Sequence, residues 1–215
     1  MVRRSTAVVI GLFTLLLGIL SGLFVSQLLP PRIQSTLADT VNVGVNPSPS
    51  EDTLTLLESA LETAKALRDG DFALLSSYIH PTEGVTFTPN CTVDRAVNQT
   101  FTAGQIAKAG SSAEVYVWGT ATDTAAPISL TFSDYLSGYV WDEDYLAAPR
   151  ISVDSTSVTG NALENLTDAY PDCRYVEFYF PGADAQMDWS ALRLVYQQLD
   201  SRWYLVGVIH SEWSA

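Results

Sequence analysis

The side chains suited to proton chemistry are few in this chain. Its histidines are His80, which precedes Pro81 at the end of an apolar-periodic stretch, and His210, near the end of a β-branched and aromatic run. An imidazole can serve as a general base or as a ligand contact. Glu177 alternates with Tyr175 and Tyr179, so it could meet Arg193 if the run 175–180 pairs with 190–198. His80, Glu177, Tyr179, Arg193 and His210 are therefore the candidate lining of a polar pocket. The plainer reading is a cross-strand ion pair, with each imidazole satisfied by one hydrogen bond at an element end.

Metal and nucleophile patterns are absent from the sequence. No HExxH or CxxC spacing occurs, and no GxSxG, P-loop or dinucleotide fingerprint. Asp142-Glu143-Asp144 lacks the regular oxygen spacing and central glycine of a calcium loop, so it reads as solvated. No metal, cofactor or catalytic residue is expected. Cys91 and Cys173 could pair as a disulfide in an oxidising compartment, or remain two thiols. Asn90, Asn98 and Asn165 each open an Asn-x-Thr pattern, which matters only in a eukaryotic secretory pathway.

The element that would position these groups is the C-terminal run 188–210. Two apolar, β-branched and aromatic stretches flank Asp200-Ser201, a hairpin pattern. A two-residue turn sets Leu199 opposite Arg202 and Leu194 opposite Gly207. One face then carries Leu192, Leu194, Tyr196, Trp203, Leu205 and Ile209. The other carries Arg193, Val195, Gln197, Tyr204, Val206, Val208 and His210. Upstream, Leu54, Leu57, Leu61, Ala64 and Leu67 predict a helix over about 53–68, capped by Ser50 or Asp52 and ended by Gly70. Asp71 can cap a second helix, about 72–79, stopped by Pro81. Strands are predicted near 84–89, 114–118, 128–130 and 175–180, with a short helix at 101–109 and another from Thr131 to about Val140. Residues 142–171 read as an irregular insertion. Helices first and an antiparallel sheet last predict an α+β fold, with helices packed on one face of a curved sheet.

The remaining chain concerns location. Residues 7–29 hold no charge, and as a helix they would span roughly 35 Å, enough for a bilayer core. Arg3 and Arg4 precede them, which orients the N-terminus to the cytoplasm and the rest outside. The alternative is a cleaved signal peptide, giving a secreted domain. Residues 30–52, opened by Pro30-Pro31 and containing Asn46-Pro47-Ser48-Pro49-Ser50, read as a flexible linker. The domain is then 53–215, with 21 acidic and 8 basic side chains within a chain of net charge −13. Such a surface repels phosphate backbones, so no nucleic-acid partner is expected.

The segment Ala66-Leu67-Arg68-Asp69-Gly70-Asp71-Phe72-Ala73-Leu74-Leu75-Ser76-Ser77-Tyr78 resembles the helix–Gly-Asp–helix opening of NTF2-like domains, and the long terminal hairpin is also similar to theirs. His80-Pro81-x-x-Gly84-Val85-x-Phe87 and the stretch from Leu192 to Trp213 resemble a group of uncharacterised secreted or anchored bacterial proteins. The resemblance implies a cone with a cavity between sheet and helices, a scaffold that hosts both enzymes and pure binding modules. Together these readings give a membrane-tethered, extracytoplasmic, non-catalytic binding or assembly module. Its expected partners are the lipid bilayer through 7–29 and a small molecule or an envelope protein. The alternative is an enzyme using the cone cavity for acid–base chemistry on a small apolar molecule through His80, Glu177 and His210.

Overall fold

The computed structural model describes residues 49–121, 124–157, 163–182 and 188–213. The expected anchor at 7–29 and all of the linker before Pro49 lie outside these. Among the described residues, no helix is long and apolar enough to cross a membrane.

Helix α1 spans Glu51–Asp69. The Ser50 side chain accepts from the Thr53 N–H and caps it, so Glu51 and Asp52 are helical rather than linker. Their carboxylates sit at the positive end of the helix dipole. The buried stripe is Leu56, Leu57, Ala60, Leu61, Ala64 and Leu67; Leu54, expected in it, is exposed. Glu62 and Lys65 pair on the outer side at 2.6 Å. Gly70 leaves the helix at φ +61°, a left-handed conformation that glycine adopts without Cβ strain. Asp71 accepts from the Leu74 N–H and opens α2, Phe72–Tyr78.

The chain continues through β1 (Val85–Thr88), β2 (Gln99–Phe101) and α3 (Ala103–Ala109). Then come β3 (Val115–Thr120), β4 (Pro127–Thr131) and α4 (Phe132–Tyr135). Helix α4 runs on into a π-helical turn, Leu136–Val140, and a 3₁₀ turn follows at Tyr145–Ala147. Strand β5 (Arg150–Val153), α5 (Leu166–Ala169), β6 (Arg174–Phe180), β7 (Ser190–Leu199) and β8 (Arg202–Glu212) complete the order. The supposed irregular insertion thus contributes an edge strand and a short helix. Six strands form one sheet in the order β2-β1-β8-β7-β6-β5, and β3-β4 form a separate hairpin. The architecture is α+β as expected, but the sheet is mixed, because β1 pairs parallel with β8. The long connection between those strands makes a parallel pairing possible where a hairpin could not.

The terminal turn has two residues. Leu199 faces Arg202, and Asp200 and Ser201 have φ +49° and +63°, the type I′ arrangement that matches strand twist. Ser201 has no reason of its own to be left-handed. Ser201→Gly is therefore expected to stabilise the fold by about 0.5–1 kcal/mol, read as a higher urea midpoint with unchanged slope. A lower midpoint would contradict the turn assignment.

Six residues before the end of the chain's last strand, the register shifts. Val195 pairs with Gly207 but Tyr196 with Leu205, which leaves Val206 as an extra residue. Leu194 consequently faces Val208, not Gly207. A one-residue bulge inverts the alternation beyond it. Val208 and His210 now share a face with Leu192 and Leu194, and Ile209 joins Arg193 and Val195.

Both faces of the sheet are buried. The Tyr196 hydroxyl donates to the Ser59 carbonyl at 3.4 Å, and Trp203 Nε1 donates to Thr55 Oγ1, so this face packs on α1. On the opposite face Tyr175, Val195, Val206 and Ile209 pack with Val93, Leu166 and Tyr170. The segment approaches closely: a Cβ on Gly207 would lie 2.9 Å from the Tyr170 hydroxyl and 3.2 Å from Val195 Cβ. Gly207→Ala is expected to cost about 1–3 kcal/mol by overpacking, measured by urea unfolding. A neutral result would mean that the covering segment is not seated on β8. The Asn-x-Thr asparagines are occupied internally. Asn165 accepts from the Val93 N–H at 2.8 Å and donates to its carbonyl at 2.9 Å, while Asn98 accepts from Thr88 and Asp94.

Candidate functional site

The bulge separates the expected pocket residues into different neighbourhoods. Glu177 and Arg193 are direct cross-strand partners on the face away from α1, and Tyr179 lies two residues along the same strand face. His210 pairs with Leu192 on the α1 face. His80 lies alongside the first half of β8, where its N–H donates to the Leu205 carbonyl. The five residues therefore do not converge on one cavity.

His80 serves as an element-end imidazole. Its Nδ1 accepts from the Glu83 N–H at 3.0 Å and the Thr82 N–H at 3.3 Å, and its ring meets Tyr204 edge-on. These bonds close the turn after Pro81. Tyr179 packs with Trp189 and Ala191, and the Arg150 guanidinium lies 5.9 Å from its ring centre.

Arg193 and Glu177 form an ion pair with both side chains fully buried, Arg193 Nε donating to Glu177 Oε2 at 2.8 Å. Arg193 Nη1 also donates to Glu164 Oε2 at 2.6 Å and to Ser211 Oγ at 3.2 Å. Glu177 Oε1 accepts from the Ser157 N–H at 2.7 Å. Ser157 and Glu164 are thus both tied to the sheet through the Glu177–Arg193 pair. Arg193 Nη2 and Glu164 Oε1 have no partner among the described residues. With Arg193 and Glu177 both fully buried, the network ties elements together.

The second polar cluster was not foreseen. His210 Nε2 lies 3.2 Å from Asp142 Oδ2, and the other carboxylate oxygen of Asp142 accepts from the Tyr145 hydroxyl at 2.8 Å. Glu212 stands two residues beyond His210 on the same strand face, and the ligating atoms of Asp142, His210 and Glu212 all fall within 4.8 Å of one another. His210 is 1 % exposed, whereas Asp142 and Glu212 reach solvent. Burial would raise the Asp142 carboxyl, but the bonds from His210 and Tyr145 outweigh it and hold the group below its ordinary value. Burial and the Asp142 charge push the Tyr145 hydroxyl up strongly. No local pattern could have revealed this cluster, because 68 residues separate Asp142 from His210.

Aromatic side chains from β1, β2, β3 and α4 pack together in the interior. Trp118 and Tyr135 are fully buried and stack face to face at 3.7 Å between ring centres. Phe87, Phe101 and Phe132 surround them at 5.6–6.3 Å. Tyr196 is fully buried against α1. On the far side of the sheet, Glu83, Arg95, Tyr170, Asp172, Cys173 and Gln197 line a partly open groove of about 270 Å³. That is slightly below the usual range of roughly 300–1,000 Å³ for ligand pockets. Cys173 lies in this groove, while Cys91 is buried with its thiol towards the Leu163 carbonyl, and both are free. The two cysteines stand here as thiols, each in its own surroundings, and burial raises the pKa of both.

No protein-family model matches the chain, and no curated protein does. Solved structures similar to it include a candidate calcium/calmodulin dependent protein kinase II association domain from Xanthomonas campestris. It is 12% identical over 80% of this chain and 95% of that one, with a TM-score of 0.31. A candidate dehydratase of the NTF2-like family from Streptomyces avermitilis is 17% identical over 78% of this chain and all of that one, with a TM-score of 0.31. An NTF-2 like protein of unknown function from Shewanella oneidensis is 10% identical, covers 75% of this chain and 98% of that one, and has a TM-score of 0.28. Likenesses this distant carry neither family nor function to the chain.

Proposed function

We propose that this chain is a membrane-tethered, extracytoplasmic NTF2-like module that binds or assembles through its outer surface and does not catalyse a reaction inside the cone. The carrying observation is the aromatic packing of the interior, where the Trp118–Tyr135 stack is fully buried among Phe87, Phe101 and Phe132. The separation of Glu177 from His210 by the thickness of the sheet also counts against acid–base chemistry through that pair. The NTF2-like reading draws on the chain's own order: two leading helices joined at Gly70-Asp71, and a long terminal hairpin at the centre of the sheet. The tether reading draws on the uncharged run 7–29 and the arginines before it.

Three measurements on the full chain test the proposal. Membranes carrying it are washed with alkaline carbonate, and intact spheroplasts are treated with protease. The chain is expected to stay in the washed membranes and to lose residues 53–215 to external protease. Release by carbonate removes the anchor; protection in spheroplasts that become sensitive only on lysis removes the outward orientation. Chemical cross-linking on intact cells then asks whether the domain has a reproducible envelope neighbour. A domain that cross-links to nothing would not support an assembly role.

A further inference from the structure

We propose that Asp142, His210 and Glu212 form a divalent-cation site of the zinc type at the strand end opposite the β7–β8 turn. The proposal concerns a separate surface and stands whether or not the tether and assembly reading holds.

Two elements bring the ligands together. His210 and Glu212 alternate on β8, so both project from one face. Asp142 follows the π-helical turn, whose exit is fixed by the bond from the Trp141 N–H to the Leu136 carbonyl at 2.8 Å. The Tyr145 hydroxyl then holds one Asp142 oxygen and leaves the other facing His210. An outer hydroxyl that orients a ligating carboxylate is the usual support of a metal site.

The imidazole supplies an independent observation. It is 1 % exposed, is directed at the Asp142 carboxylate, and has a buried Nδ1 without a hydrogen-bond partner. Its Nε2–Oδ2 separation of 3.2 Å exceeds the roughly 2.7–2.9 Å of a charge-assisted N–H···O bond. A buried ring therefore faces a rim of carboxylates through one long hydrogen bond, and its second nitrogen has no partner among the described residues. Asp142 and Glu212 bring two carboxylates to the rim, and a cation relieves their repulsion.

The donor set selects the class of ion. One imidazole nitrogen with two carboxylates suits zinc and its transition-metal neighbours, whereas calcium takes six to eight oxygens. Zinc bonds of about 2.0–2.2 Å require the ligand atoms to draw closer than 4.8 Å. Asp142 and Glu212 are exposed and have room to make that movement by side-chain rotation. The coordination position left towards solvent would hold water or a donor from a partner.

The test uses the full chain, tag-free, solubilised in detergent and stripped with chelator. Zinc is titrated against a chromophoric competitor, and cobalt is followed by its visible absorption. One equivalent is expected, with visible d–d bands and no near-ultraviolet thiolate band. Asp142→Asn and Glu212→Gln are each expected to weaken binding at least tenfold with unchanged circular dichroism. His210→Gln should abolish it, but this buried residue is read only if the variant folds. Absence of zinc binding overturns the proposal, as does wild-type affinity in either rim variant. Calcium binding without zinc binding overturns it too, and a thiolate band would move the metal to Cys91 or Cys173.

Discussion

Arg193→Met is expected to lower the unfolding free energy by about 3–5 kcal/mol, the largest loss from any single polar side chain in the domain. Methionine is close in length, so little packing volume disappears. What disappears is the cation between two carboxylates. Glu177 is fully buried and would retain only the Ser157 N–H, and Glu164 would lose its bond to Nη1. The covering segment would be loosened at the same time, because that guanidinium links it to β6, β7 and, through Ser211, β8. The expected signature is a lower urea midpoint with faster amide exchange in residues 163–170.

Adding Glu177→Gln to Arg193→Met should recover part of the loss, since the second change removes the stranded charge. A coupling of about 0.5–3 kcal/mol is expected across that double-mutant cycle. A loss below about 1 kcal/mol for Arg193→Met would place the pair among ordinary surface bridges, against its burial.

Trp118→Ala is expected to destabilise by about 3–5 kcal/mol, through lost burial and the void that remains. Trp118 stacks on Tyr135 and touches Phe101, Phe132 and Phe87, and its Nε1 donates to the Leu130 carbonyl at 3.0 Å. The void would be lined by aromatic rings, the kind of cavity that stays dry and takes up benzene. Benzene is therefore expected to raise the thermal midpoint of the variant and leave the wild type unchanged. An equal rise in the wild type would show that the cone already holds a cavity. That outcome would favour the enzyme reading over the aromatic-packing argument.

Much of the frame is legible from local pattern because its causes are local. Ser50, Gly70 and Asp71 mark helix ends through their own backbone and side-chain chemistry. The Asp200-Ser201 turn follows from two apolar runs of matched length, even though the dipeptide is not the favoured Asn-Gly. The Glu177–Arg193 pairing also follows, because β6 and β7 keep one unbroken register. Strands β2 and β5 escape notice because each is short and lies at a sheet edge, and Gln99-Thr100-Phe101 carries little alternation.

The ends of the two leading helices, the terminal turn and the cross-strand pairing of Glu177 with Arg193 are determined by sequence alone, through side-chain periodicity and capping. The side of the sheet that His210 faces is decided only by tertiary structure. A single extra residue at Val206 reverses the strand's alternation, and no residue type announces it. The meeting of Asp142 with His210 and Glu212 is likewise decided by the path of the π-helical turn over the end of the sheet, a contact between segments far apart in the chain. Local propensity sets what each strand is made of; long-range packing sets what it faces.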